Sequence, residues 1–369
     1  EFGTGLAGGA NMVFSDMLGE HVLGIGAQVN GSLKDAGGRV LYRNRTSRWV
    51  WGVGGSHTPL RTSRSSSRRD TLTTDTSSTP VTTVEVVEQR SFLERGRAVV
   101  EYPFDRNRRL EFSPKVTRLW HTARARRVSC DDGREVSRED VAVDAPSPLT
   151  LAEGAVAFVG DFSVAGFTAP VDGRRYRVEL EPAGGTLRFL SVLADYRHYI
   201  RLHPVTLAFR GVHYGRYLRD AESARLPSLS LSYPQLLRGY EVSSYDASVC
   251  MEEEDECSGL EKLFGSRLAI LNAEVRAPLI GTGTYGLIDF RFLPVTVAAF
   301  LEGGVAWTSE EWPEPELSAS SKERTPVFSG GAGATGNVLG ALVVQFSYAY
   351  PSPRPQTGPP FGFALGPGF

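Results

Sequence analysis

The chain of 369 residues contains no apolar run near the ~18–20 residues that a membrane-spanning helix needs. Its longest clean stretch, Val295 to Leu301, is far too short, which excludes a helical membrane protein. Cysteine is scarce, at 3 residues, so a disulfide-built scaffold is excluded too. Cys250 and Cys257 flank a short acidic loop and could pair locally, leaving Cys130 over, and no Cys or His spacing suits zinc. The 6 histidines are scattered, and no HExxH, GxSxG or nucleotide-cradling loop occurs, so the sequence supports neither catalysis nor a cofactor. The net charge of −2 favours neither nucleic acid nor a bulk acidic partner. Helical periodicity is almost absent. There is no initiator Met or signal peptide, and the Gly-rich start (Gly3 to Phe14) reads as that of a mature or truncated piece.

What recurs from end to end is alternation with a period of two residues. Leu23, Ile25, Ala27 and Val29 share one face and Gly24, Gly26, Gln28 and Asn30 the other. Tyr176, Val178 and Leu180 oppose Arg175, Arg177, Glu179 and Glu181, and Leu342, Phe346, Tyr348 and Tyr350 oppose Gln345, Ser347 and Ala349. Fifteen strands follow from this pattern: 3–14, 20–31, 37–45, 47–58, 83–103, 107–125, 152–164, 174–183, 186–199, 204–218, 265–279, 286–307, 325–336, 339–350 and 359–369. Many exceed the usual ~5–6 residues of globular strands. Short connections (15–20, 43–47, 105–108, 336–340) alternate with long ones (58–82, 129–149, 218–264, 308–325). Short turns on one rim and long loops on the other are the habit of outer-membrane barrels. The expected fold is therefore all-β, a transmembrane antiparallel β-barrel of about 16 strands forming one domain over 1–369. The odd count suggests that a first strand lies upstream of Glu1, since single-chain bacterial barrels have even strand numbers. Trp49, Trp51, Trp120, Trp307, Tyr348 and Tyr350, near strand ends, suit interfacial girdles.

Three elements stand out chemically. Leu237-Arg238-Gly239-Tyr240 lies in a long polar connection, where such a tetrad has no local purpose. Two later strands each carry a carboxylate opposite an apolar file. Leu271, Ala273, Val275 and Ala277 leave Asn272, Glu274 and Arg276 on the other face, and Val297, Ala299 and Leu301 likewise leave Glu302. A carboxylate facing lipid would be costly, so both acids belong inside. In the last strand Phe361, Phe363, Leu365 and Phe369 share a face. The acidic run 252–256 lacks the spacing of a calcium loop and reads as a solvated loop tip. Arg61–Thr83, rich in Ser, Thr and Arg with Arg61, Arg64, Arg68 and Arg69 close together, reads as a mobile surface loop, with contact to the anionic head groups of outer-leaflet glycolipid as the alternative.

These residues resemble the barrel of the BamA/TamA outer-membrane superfamily, also called bacterial surface antigens. The resemblance rests on Gly173-Arg174-Arg175-Tyr176-Arg177, Leu237-Arg238-Gly239-Tyr240, Asn272-Ala273-Glu274-Val275-Arg276, Phe300-Leu301-Glu302-Gly303-Gly304-Val305-Ala306-Trp307, Gly330 to Leu339, Phe346 to Pro351 and the final Gly362 to Phe369, in this order and spacing. It implies that the sixth extracellular loop, residues 219–264, folds into the lumen and that Arg238 pairs with Glu274 and Glu302. It also implies that the C-terminal strand carries the signal read by an assembly machinery. Position 302 is commonly Asp in the family and is Glu here. The Phe14–His21 stretch is similar to the second-to-third strand turn of members fused behind a β-propeller, and no POTRA domain is visible. The implied function is insertion or translocation of proteins at the bacterial outer membrane, with the bilayer, outer-membrane protein clients or an exported polypeptide, and an upstream periplasmic domain as partners. Two alternatives stay open: a passive anchor or pore for an upstream domain, and a secretion port for one exported substrate.

Overall fold

A computed structural model describes residues 6–74, 77–131, 134–233, 235–240, 262–281, 286–290, 293–313, 324–338, 342–352 and 361–367. They fold without α-helix into two compact units. The first comprises 1–102, 112–154 and 183–187, and the second 103–111, 155–182 and 188–369. Among the described residues the strands form one 17-stranded sheet and one two-stranded sheet.

The first unit is built on β1 (Leu6–Ser15), β2 (His21–Asn44), β3 (Val50–Thr74), β4 (Ser77–Pro103), β5 (Arg108–Asp131), β6 (Arg134–Ala142) and part of β7 (Leu149–Asp161). β2 doubles back on itself. Arg45 N–H donates to the Glu20 carbonyl at 2.7 Å, and a Cβ placed on Gly26 would meet the Arg39 side chain. Its two arms are the strands expected at 20–31 and 37–45. β1 pairs with the first arm and β3 with the second.

Two expected loops are strands instead. β3 and β4 pair without a break from Val50↔Glu101 to Thr74↔Ser77, so 58–74 and 77–82 form a ladder where a loop was expected. Arg61, expected in a mobile segment, is ion-paired to Glu88 across it at 2.8 Å. Likewise β5 pairs with β6 across much of 129–149. Thr and Ser are compatible with a pleated strand when cross-strand partners satisfy the backbone, and composition alone misread them. A strand of ~9–11 residues crosses a bilayer, so the β3–β4 ladder runs well beyond that depth.

The second unit continues through β8 (Val164–Ala165), β9 (Pro170–Gly185), β10 (Phe189–Leu202), β11 (Val205–Tyr217), β12 (Leu229–Ser230), β13 (Phe264–Gly265), β14 (Arg267–Gly281), β15 (Ile288–Asp289), β16 (Val295–Trp307), β17 (Val327–Val338), β18 (Leu342–Ser352) and β19 (Phe361–Pro367). Antiparallel ladders run β10·β11·β14·β16·β17·β18·β19. The strand expected at 286–307 starts only at Val295, after Pro294, which has no N–H for a ladder. Before it, β15 makes a brief parallel bridge to the end of β14.

One face of these strands is apolar and exposed. Leu271 is 72% exposed, Leu301 63% and Phe361 67%, and Val275, Phe346, Tyr348, Tyr350 and Phe363 are also exposed. Large contiguous exposed apolar faces are rare in water-soluble monomers. The opposite face of β14 carries Leu268, Ile270, Asn272, Glu274 and Arg276, following the period of two. Leu268 and Ile270 join Val212, Leu231, Leu237, Tyr240, Leu263, Ala306 and Val327 in a buried apolar cluster, so the core of this unit sits where the β11–β14 connection packs onto that face.

Candidate functional site

The connection is shaped before it reaches the site. β12 pairs with β13, and Leu231 N–H donates to Leu263 O at 2.9 Å, closing the base. Leu236 and Leu237 N–H groups both donate to Tyr233 O, which makes the turn presenting the tetrad. Gly239 adopts φ 89°, a left-handed conformation open to Gly without the Cβ penalty. Leu237 and Tyr240 flank it as fully buried anchors. Gly239→Ala is expected to lower the unfolding midpoint in urea by an amount worth about 1–2 kcal/mol. An unchanged midpoint would mean that the turn tolerates another backbone geometry.

Arg238 is thereby aimed at the strand face. Its backbone N–H donates to Glu302 Oε2 at 2.8 Å and its Nε to Glu302 Oε1 at 2.8 Å. Nη2 donates to both Glu302 Oε1 and Glu274 Oε1. Its guanidinium carbon lies 3.5 Å from the centroid of the Phe300 ring. The planar fork suits two carboxylates at once, and the ring adds a cation–π contact. Glu274 stands opposite Phe300 and Glu302 opposite Asn272, so the two acids are diagonal neighbours on one face of the β14·β16 pair. Arg276 Nε donates to the other Glu274 oxygen at 2.6 Å. Two cations thus balance two carboxylates in a site where the Glu302 side chain is 3% and that of Arg238 8% exposed.

Other residues hold the same segment, and of these the sequence pointed only to Tyr240 and Asn272. Arg210, paired with Asp195, donates to Gln235 O at 2.8 Å, and Asn272 Nδ2 donates to Leu236 O at 3.1 Å. Tyr240 Oη donates to Phe328 O on β17 at 2.9 Å. At the root of the connection, Glu222 accepts from Ser266 Oγ at 2.6 Å and from the N–H and Oγ of Ser309. Burial pushes the Glu222 carboxyl up, but these serine hydrogen bonds outweigh it and hold it below the ordinary carboxylate range. The available signal was strand phase, since Asp195, Arg210, Asn272 and Phe300 are polar or bulky residues on the same face as the two glutamates.

Phe361 and Phe363 lie on the exposed face of β19, opposite Tyr348 and Phe346, with the Phe363 ring centroid 5.2 Å from that of Phe346. Leu365 pairs with Val344 in the same ladder. Phe369, Cys250, Cys257 and the acidic run 252–256 lie outside the described residues. Cys130 is half-buried and free.

No family model and no curated protein matches the sequence. Solved structures do. BamA from Haemophilus ducreyi lacking POTRA domains 1–3 superposes with a TM-score of 0.56 at 14% identity, covering 98% of this chain and 67% of that one. CdiB from Acinetobacter baumannii (TM-score 0.53, 9% identity, 97% of this chain and 56% of that one) and CdiB from Escherichia coli (0.51, 11%, 99% and 60%) are also similar. The chain thus spans less than two thirds of either CdiB. Likeness at this identity over nearly the whole chain establishes the fold, which is that of the antiparallel β-barrels BamA and CdiB.

Proposed function

We propose that the chain forms one transmembrane barrel domain of the bacterial outer membrane and assists insertion or translocation of proteins there. Residues 219–264 are its sixth extracellular loop, of which 234 and 241–261 lie outside the described residues and 235–240 sit against the inward face. The exposed apolar face then meets lipid, and the face bearing Glu274 and Glu302 lines the lumen. The observation that carries this reading is the Arg238 brace. A buried four-charge cluster joining a loop to two strands is a costly feature to maintain, and it supports a loop held inside a barrel. The mechanism is physical and not covalent. Barrels avoid open edges by pairing every strand, so a weakly paired last strand can yield to an incoming one. Gly362, Gly366 and Pro367 weaken β19, because Gly costs strand entropy and Pro removes a donor. The file Phe361, Phe363, Leu365 and Phe369 in the sequence is the signal for the chain's own assembly.

The test is folding of an unfolded outer-membrane barrel client into proteoliposomes that contain the chain. Faster folding than in empty vesicles, reduced by Arg238→Ala, is expected. Equal rates would overturn the reading. Equal rates with measurable conductance would indicate a pore or a port for one exported substrate, and without conductance a passive anchor.

A further inference from the structure

The second unit carries another element on the face that bears the brace, at the end of the strands away from the apolar cluster that seats the Arg238 connection. Between β7 and β9 the chain forms a short hairpin, in which β8 pairs with the start of β9 and Gly166 N–H donates to Ala169 O at 3.0 Å. Its root is stiff. Phe162 N–H donates to Arg174 O at 2.8 Å, Ser163 bonds Asp161, and Gly173 has φ 91° where a Cβ would strike Phe162 O.

The tip does not stay beside its own strands. Thr168 Oγ1 lies 2.5 Å from Thr296 Oγ1 on β16, and Asn337 Nδ2 on β17 donates to Phe167 O at 2.8 Å. Thr206 Oγ1 on β11 donates to Val171 O at 3.2 Å. Along the sheet, β9 is separated from β17 by β10, β11, β14 and β16. Five steps at ~4.8 Å make about 24 Å. The tip can touch β16 and β17 only by crossing the face of a curved sheet as a chord. Register shows which face. Thr206 stands opposite Arg276, two residues along β14 from Glu274, and Thr296 is in phase with Glu302. The hairpin therefore crosses the face to which Arg238 is clamped, and packs so closely that the cavity beside Arg276, Pro294 and Thr296 is about 20 Å³, room for one water.

The two attachments differ in kind. The Arg238 end is held by charge-assisted bonds inside an apolar cluster. The hairpin end is held by neutral hydrogen bonds. Neutral hydrogen bonds are weaker than charge-assisted ones, so this end loses less when it opens.

We propose that the hairpin 162–170 is a releasable gate: it closes the lumen at the end away from the apolar cluster, while the Arg238 brace stays fixed. The gate rests on the barrel reading above, but not on insertion activity. The test uses the full chain in planar lipid bilayers, with Cys130, Cys250 and Cys257 replaced by Ser. A Thr168→Cys/Thr296→Cys pair is expected to cross-link on mild oxidation and to abolish open-channel events, and reductant should restore them. Thr168→Ala with Asn337→Ala is expected to raise the open fraction roughly tenfold, the order of effect of losing two neutral hydrogen bonds. Failure of the cysteines to cross-link in the folded barrel, or identical conductance when locked and reduced, would overturn the gate. A chain that lacks insertion activity but conducts in a disulfide-dependent way would keep the gate and lose the proposed function.

Discussion

Arg238→Ala is expected to destabilise the barrel by about 3–5 kcal/mol, the cost of leaving buried carboxylates without their cation. Glu302 would lose the two side-chain bonds from Arg238 and keep only the backbone N–H of position 238, and Glu274 would keep only Arg276. Arg238→Lys is expected to recover little, because an ammonium cannot reproduce the planar fork or lie flat over Phe300. Glu302→Ala removes the larger share of the partners and is expected to cost more than Glu274→Ala. The double variant Arg238→Ala/Glu302→Ala is expected to lose clearly less than the sum of the single losses, since the second change removes the charge that the first left stranded. Urea unfolding in lipid vesicles, followed by heat-modifiable migration on gels, measures all of these. Additivity within about 0.5 kcal/mol would mean that the three side chains are near one another without being coupled, and would remove the brace from the account.

Leu301→Arg is the second large effect. Leu301 stands opposite Ala273 and Gly330, well inside its strand, and on the exposed apolar face. If that face meets lipid, a charge near the midplane costs about 2–4 kcal/mol. Val86→Arg is the matched control. Val86 is exposed and pairs with Ser65, on the part of the β3–β4 ladder that runs beyond membrane depth. There the same charge is expected to change stability by no more than about 0.5 kcal/mol. A water-soluble protein would tolerate both substitutions, and then the chain would stay monodisperse without detergent. Equal tolerance at the two sites would therefore overturn the membrane reading, whatever the state of the brace.

The unequal legibility of the chain follows from which forces act locally. Alternation from β14 to β19 was readable, because a period of two with one apolar face is written into neighbouring residues. Pro294 was readable as a break and was overlooked inside the strand expected at 286–307, where β16 begins only at Val295. The ladder over 58–82 was not legible, since Ser, Thr and Arg carry no local signal for the partner strand that satisfies their backbone. Placement of Glu274 and Glu302 on one face came from phase, whereas the contact of the Phe300 ring with Arg238 is not written in that phase, although Phe300 shares it.

By itself, the sequence determined an all-β chain with no spanning helix, the files that face apart on each strand, and the odd arginine in a polar connection. These are matters of composition and period, settled within a few residues. Only the tertiary structure decided that Arg238 lies between two glutamates 36 and 64 residues away, and that Thr168 meets Thr296 across 128. Contacts of that range depend on sheet curvature and register summed over many strands. No short stretch of sequence encodes that sum, because each step from strand to strand is fixed by its partner and not by its own residues.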